Sequence, residues 1–229
     1  MIKFYEEGHR YINTTTNQAL TSVTQRLSQF VEPFLYDYWL IRKSQELDVS
    51  AFFLDQKWQY LKTIGLYIGS ATHKYIELKG NYDILSLPDM RLTPHQAILI
   101  KQYLVNLKIQ ADKFLEDFKH LDFIGSEVIV GNNKYAGQID YLTEQCIVDF
   151  KTDREIAFDS PEYFMKPIDD LKYCNYNKYC LQVSAYNYLL DKQFEQPNLI
   201  VHFNRYSQDY TVYEIPYLYN KVKQLFNDK

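Results

Sequence analysis

In AGQIDYLTEQCIVDFKT, residues 136–152, two carboxylates and an ammonium sit among strand-forming residues. Asp140, Asp149 and Lys151 are flanked by Ile139, Tyr141, Leu142, Ile147, Val148 and Phe150. Charges inside a sheet are expensive unless they pair, bind a metal or shift their pKa. On a strand, residues two apart share a face, so Asp149 and Lys151 point one way while Val148 and Phe150 point the other. If the two β-rich runs pair, Asp140 lies beside Asp149. Two carboxylates and a backbone carbonyl are hard oxygen ligands suited to Mg²⁺ or Mn²⁺. A lysine one strand step away is placed to activate water or to neutralise a phosphate. Asp-x-Lys taken alone is more often a salt bridge on a solvated face.

Other residue types add to the pattern. Glu127 sits on the preceding run, GSEVIVG. In GSATHKYIE, Gly69, His73 and Glu77 recur at i, i+4 and i+8 along one helical face. Gln182 and Tyr186 stand four apart on a later helix. Lysine and tyrosine interleave in LKYCNYNKYC, where Lys172 and Lys178 can hold phosphates and the rings can stack bases; a plain surface loop fits equally well.

These residues must be positioned by an α/β framework. IKFYEEGHRYIN predicts a hairpin turning near Glu7-Gly8. Ser22 and Gln25 form a capping box opening a short helix, and PFLYDYWLIRKSQEL a second one. A long helical stretch from about Phe52 to Lys79 is expected to kink or divide at Gly65 and Gly69. Pro94 begins a further helix to about Lys119. Three short runs from residue 123 to 152 predict an antiparallel meander. A loop-rich segment, a helix around 178–192, two strands and a closing helix from Tyr217 follow. The expectation is one α/β domain over 1–229, with residues 1–120 mostly helical and the sheet in 121–229.

Composition sets limits. The chain has 229 residues, 46% of them hydrophobic and 24% charged, enough for one sizeable core. The net charge of −4 does not advertise a polyanion partner, although a cluster of acids awaiting a cation lowers that sum. Tyrosine is abundant at 22 residues, a number that suits half-buried positions or a base-stacking surface. Three cysteines without zinc spacing, no apolar stretch of membrane length and no leader-like N-terminus point to a reduced cytoplasmic protein that does not enter membranes.

In chain order, G-x-x-x-H-x-x-I-E, an upstream Glu, G-x-I-D, V-D-F-K-T and Q-x-x-x-Y resemble the PD-(D/E)XK nuclease superfamily. The resemblance is closest to its RecB-like exonuclease branch, which includes phage exonucleases and the mitochondrial genome maintenance exonuclease. HRYIN…LTSVT also resembles the front end of some members. The resemblance runs from His9 to about Leu190 and implies a restriction-endonuclease-like core with N-terminal helical additions. It implies that His73, Asp140, Asp149 and the Phe150 carbonyl ligate Mg²⁺ or Mn²⁺, and that Lys151 positions or deprotonates the attacking water. It further implies that Gln182 and Tyr186 orient the site and touch DNA, that Glu77 holds the His73 imidazole, and that Glu127 adds an acid to the catalytic group or backs it. Some members carry a four-cysteine iron–sulfur cluster; with Cys146, Cys174 and Cys180 alone, none is expected here. The implied activity is a metal-dependent DNA exonuclease acting on single strands or ends, in phage or bacterial replication, recombination or repair. The alternatives are a non-cleaving nucleic-acid-binding subunit and a site- or structure-specific endonuclease.

Overall fold

The structure, a computed structural model, describes residues 1–86, 92–192, 194 and 197–226. The N-terminal hairpin forms as expected: β1 (Ile2–Tyr5) pairs antiparallel with β2 (Arg10–Asn13). Gly8 and His9 turn the chain with φ of 75° and 48°. β3 (Gln18–Ser22) follows, a strand the sequence reading did not anticipate. Ser22 then caps α1 (Val23–Ser28): its hydroxyl takes the Gln25 amide, and the Gln25 side chain returns to the Ser22 N–H.

Next come α2 (Tyr36–Glu46), α3 (Ala51–Glu77) and α4 (Pro94–Asp117). Thr93 and Gln96 build a second capping box, with Pro94 in the first turn. The stretch does not divide at Gly65 and Gly69; α3 runs for 27 residues as one helix. A helical glycine costs about 1 kcal/mol but removes no backbone hydrogen bond, so packing of the buried face carries the helix through. At Gly69 the missing side chain has a use, because a Cβ there would stand 3.2 Å from Thr152 Oγ1. It lets α3 approach the end of the sheet closely.

The meander is present as β4 (Phe123–Gly131), β5 (Tyr135–Thr143) and β6 (Ile147–Lys151). After a loop come α5 (Asn175–Leu190), β7 (Asn198–His202), β8 (Thr211–Ile215) and α6 (Tyr219–Phe226). The eight strands make one mixed sheet in the order β1-β2-β3-β5-β6-β7-β8, with β4 pairing β5. β3 meets β5 in parallel, as β6 meets β7; the other pairs are antiparallel.

Helices cover both faces, and the strands alternate accordingly. Ile147 and Ile200 enter one core with Val23, Leu27, Val183 and Val222, under α1, α5 and α6. Val148, Phe150 and Val201 enter the other with Ile64, Ile68, Leu104 and Phe114, under α3 and α4. Among the described residues, no helix is long and apolar enough to cross a membrane.

β5 has a further property. β4 occupies one of its edges from Ala136 to Thr143. The other edge is shared: β3 pairs at Tyr135 and Ala136, and β6 pairs at Tyr141 and Leu142. Between these contacts, residues 137–140 face a fork in the sheet.

Candidate metal centre

The fork opens into a cavity of about 840 Å³. Gly137, Gln138 and Asp140 line it from β5, Glu127 from β4, and Gly69, His73 and Glu77 from α3. Gln182 and Tyr186 of α5 complete a wall.

Asp140 is held where a strand partner would otherwise be. Its Oδ2 accepts the Phe150 amide N–H at 2.8 Å, and its Oδ1 lies 3.7 Å from His73 Nδ1. The β5–β6 register ends at Tyr141 with Val148, one residue short of an Asp140–Asp149 pair. His73 rests edge-on against the Phe150 ring, which packs with Phe114 and Phe203. An aromatic cluster from β6, α4 and the residue after β7 therefore fixes the imidazole.

Glu127 follows Ser126 and precedes Val128, which pair with Tyr141 and Ile139, so it too stands opposite Asp140. Its φ is +53°, a left-handed conformation that a non-glycine residue adopts at a cost of about 1–3 kcal/mol. One ligand atom from each of His73, Glu127 and Asp140 can be chosen so that all three lie within 4.8 Å of one another. One imidazole nitrogen and two carboxylates form a donor set that suits Mg²⁺ or Mn²⁺.

Asp149 and Lys151 lie outside that trio and do not line the cavity. The Asp149 side chain is 2% exposed and that of Lys151 16%, with Oδ2 and Nζ 2.6 Å apart. Neither Asp149 oxygen accepts a hydrogen bond of regular geometry. The Lys151 ammonium also sits 4.6 Å from the centre of the Tyr179 ring. Burial raises the Asp149 pKa against the lowering effect of Lys151, with Asp140 adding to the rise. Burial disfavours the Lys151 ammonium, but Asp149 and Asp140 outweigh it and hold its pKa above the ordinary value.

Glu127 is pushed up to about 7 by burial, and further by Asp140 and Glu77, against an opposing Lys74. A carboxyl whose folded pKa exceeds its unfolded value stabilises the fold when protonated. Between about 4.5 and 7 the folded state keeps a proton that the unfolded state loses, so stability falls as pH rises. Thermal melts in EDTA across this window are expected to show that decline, and Glu127→Gln is expected to flatten it. Mn²⁺ should raise the melting temperature more at pH 8 than at pH 5.

Other expected residues are placed as follows. Glu77 does not hold the imidazole: its carboxylate pairs with Lys74 at 2.8 Å, and Asp140 is the acid facing His73. Phe150 contributes its amide and its ring. Gln182 donates to the Tyr186 hydroxyl at 2.8 Å. Lys172 is paired with Asp159, and Lys178 is exposed on α5; neither lines the cavity. Tyr173, Tyr176 and Tyr179 pack into the core, so the stretch 171–180 does not present its rings as a stacking platform. Cys146, Cys174 and Cys180 are separate buried thiols.

Gly137 has a specific use. A Cβ there would fall 2.5 Å from Tyr186 Cε1 and 3.2 Å from Val23 Cγ2. The Tyr186 ring, 4% exposed, closes over the bare backbone. Gly137→Ala is expected to destabilise the fold by about 1–3 kcal/mol through overpacking, read as a lower urea midpoint.

Sequence reasoning missed several lining residues. Glu6, His9 and Tyr11 arrive from the hairpin, Thr152 and Asp153 directly follow β6, and Arg205 follows β7. Thr152 and Asp153 were within reach, since they extend the Asp-x-Lys strand by two residues. The hairpin and Arg205 carried no spacing signal.

Fold and site together define an α/β protein with an imidazole–carboxylate cluster at a fork in a mixed sheet, backed by a buried Asp–Lys pair. A scan against protein-family models finds no match to the chain, and a search of curated proteins finds no relative.

Proposed function

We propose that the chain is a metal-dependent nuclease of the PD-(D/E)XK kind, with a restriction-endonuclease-like core, acting on DNA as an exonuclease. The observation carrying this reading is the convergence of His73, Glu127 and Asp140 beside the Asp149–Lys151 pair. The donor set fits a hard divalent cation. Glu127 and Asp149 both have upward-shifted pKa values, and the Asp149 oxygens also lack regular hydrogen bonds; nearby positive charge relieves both acids.

When bound, Mg²⁺ or Mn²⁺ supplies Lewis acidity toward a phosphodiester and toward water. His73, Glu127 and Asp140 hold the ion, and the Phe150 amide keeps Asp140 turned toward His73. Lys151 keeps its proton, because the surrounding carboxylates favour the ammonium. It acts as a cation and hydrogen-bond donor that orients water and offsets phosphate charge. Asp149 fixes the ammonium, and the Gln182–Tyr186 pair braces the wall above Gly137.

The test is a time course on end-labelled single- and double-stranded DNA, each end blocked in turn, with Mn²⁺, Mg²⁺ or EDTA. The expected result is metal-dependent release of short products from a free end, lost in Asp140→Asn. Cleavage that persists in EDTA would falsify the reading. DNA binding without cleavage in any metal would mark a non-cleaving binding module, and internal cutting with both ends blocked would mark an endonuclease.

A further inference from the structure

The cavity is short of positive charge. Its lining carries five carboxylates, from Glu6, Glu77, Glu127, Asp140 and Asp153, against the cations Lys74 and Arg205. Lys74 is engaged by Glu77 at 2.8 Å. Among the described residues Arg205 has no carboxylate partner at ion-pair distance, although the cavity it lines carries five acids.

Arg205 is held in place by other means. Its Nη2 donates to the Thr152 carbonyl at 3.0 Å, and its guanidinium lies 5.5 Å from the centre of the Tyr103 ring. Its own carbonyl accepts from Asn106 Nδ2 at 3.0 Å. The flanking turn is pinned to α4 by Gln110, whose amide donates to the Asn204 and Ser207 carbonyls at 2.8 and 2.7 Å. Thr152 is the residue after Lys151, so the guanidinium is tethered one residue from the Asp-x-Lys strand. Its Nε is buried and has no hydrogen-bond acceptor. A guanidinium anchored at the cavity wall without a carboxylate partner is the group that takes phosphate oxygens.

Resting on the nuclease reading, we propose that Arg205 is the phosphate-holding residue of this cavity, binding a backbone phosphodiester of the nucleic acid. It counters the acidic lining at the point where a polyanion must enter. Arg205 acts on substrate binding, whereas the trio of His73, Glu127 and Asp140 acts on the cation.

The experiment compares wild type, Arg205→Gln and Arg205→Lys. Binding of a hydroxyl-ended single-stranded oligonucleotide is measured by fluorescence anisotropy in Ca²⁺ across a salt series. Hydrolysis is followed in Mn²⁺, with Mn²⁺ affinity and melting temperature measured alongside. Arg205→Gln is expected to raise KM about tenfold or more, with a smaller change in kcat. It is expected to reduce the slope of log affinity against log salt by about 0.7, one single-strand phosphate contact, with Mn²⁺ affinity unchanged. Arg205→Lys restores the slope but only part of the affinity, because an ammonium lacks the fork. Unchanged KM and salt slope in a folded Arg205→Gln would overturn the assignment. If Arg205→Gln melts early, Arg205→Lys decides: a rise in KM of about threefold or more supports the assignment, and an unaltered KM overturns it. A wild-type chain that neither binds nor cuts removes the nuclease reading and this assignment together. A wild type that cuts while both variants match it removes only the role of Arg205.

Discussion

Lys151→Met is expected to lower phosphodiester hydrolysis by about 10²- to 10³-fold, the usual cost of removing one aimed cationic donor. Mn²⁺ affinity should stay within severalfold of wild type, because the ammonium belongs to neither the trio nor the cavity lining. Methionine keeps the unbranched length that packs against the Tyr179 ring, so the substitution tests charge more than shape. Single-turnover hydrolysis at saturating DNA, with Mn²⁺ titrated by calorimetry, separates the two effects. Equal loss of metal binding and rate would make Lys151 a structural support for the trio instead of a partner of the reacting phosphate.

The second large effect is on stability and comes from the same pair. Lys151→Met strands Asp149 at 2% exposure without its counter-charge. Removing one member of a buried ion pair costs about 3–5 kcal/mol when the survivor stays charged. Asp149 already has a raised pKa, so in this variant it takes up a proton at mildly acidic pH. Because its folded pKa lies above the unfolded one, the stabilisation from that proton is present at low pH and disappears as pH rises through the folded value. Lys151→Met should therefore be strongly destabilised at pH 8 and much less at pH 5. The double variant Asp149→Asn/Lys151→Met should recover most of the stability, since replacing both partners removes the stranded charge. It should not recover activity. Urea unfolding of wild type, both single variants and the double at the two pH values gives the coupling directly. Additive losses at both pH values would show that the two groups do not depend on each other.

Much of the framework is legible because its signals are local. The capping box at Ser22 and the first-turn proline at Pro94 are local signals, and α1 and α4 begin where they lie. The turn residues after Gly131 and Thr143 delimit the meander, and period-two alternation assigns Ile147 and Val148 to opposite cores. What escapes is set by distant partners. β3 exists through its pairing with β2 and its parallel contact with β5, more than a hundred residues away. The fork at residues 137–140 follows from that contact and has no trace in the local pattern. The glycines of α3 suggested a break because propensity is local, whereas the packing that keeps the helix continuous is not. Glu127 owes its place opposite Asp140 to a left-handed backbone that a β-rich run does not announce. Lys172 was singled out by neighbouring lysines and tyrosines, yet its partner Asp159 lies thirteen residues back along an irregular loop.

The central claim is that His73, Glu127 and Asp140 together hold one hard divalent cation at the fork of the sheet. Anomalous diffraction at the manganese edge, from crystals grown with Mn²⁺, tests it most directly. The account predicts a single strong peak within coordination distance of all three side chains, at about 2.0–2.4 Å, and its disappearance in Asp140→Asn. A peak bound elsewhere, or none at the fork at saturating Mn²⁺, contradicts it.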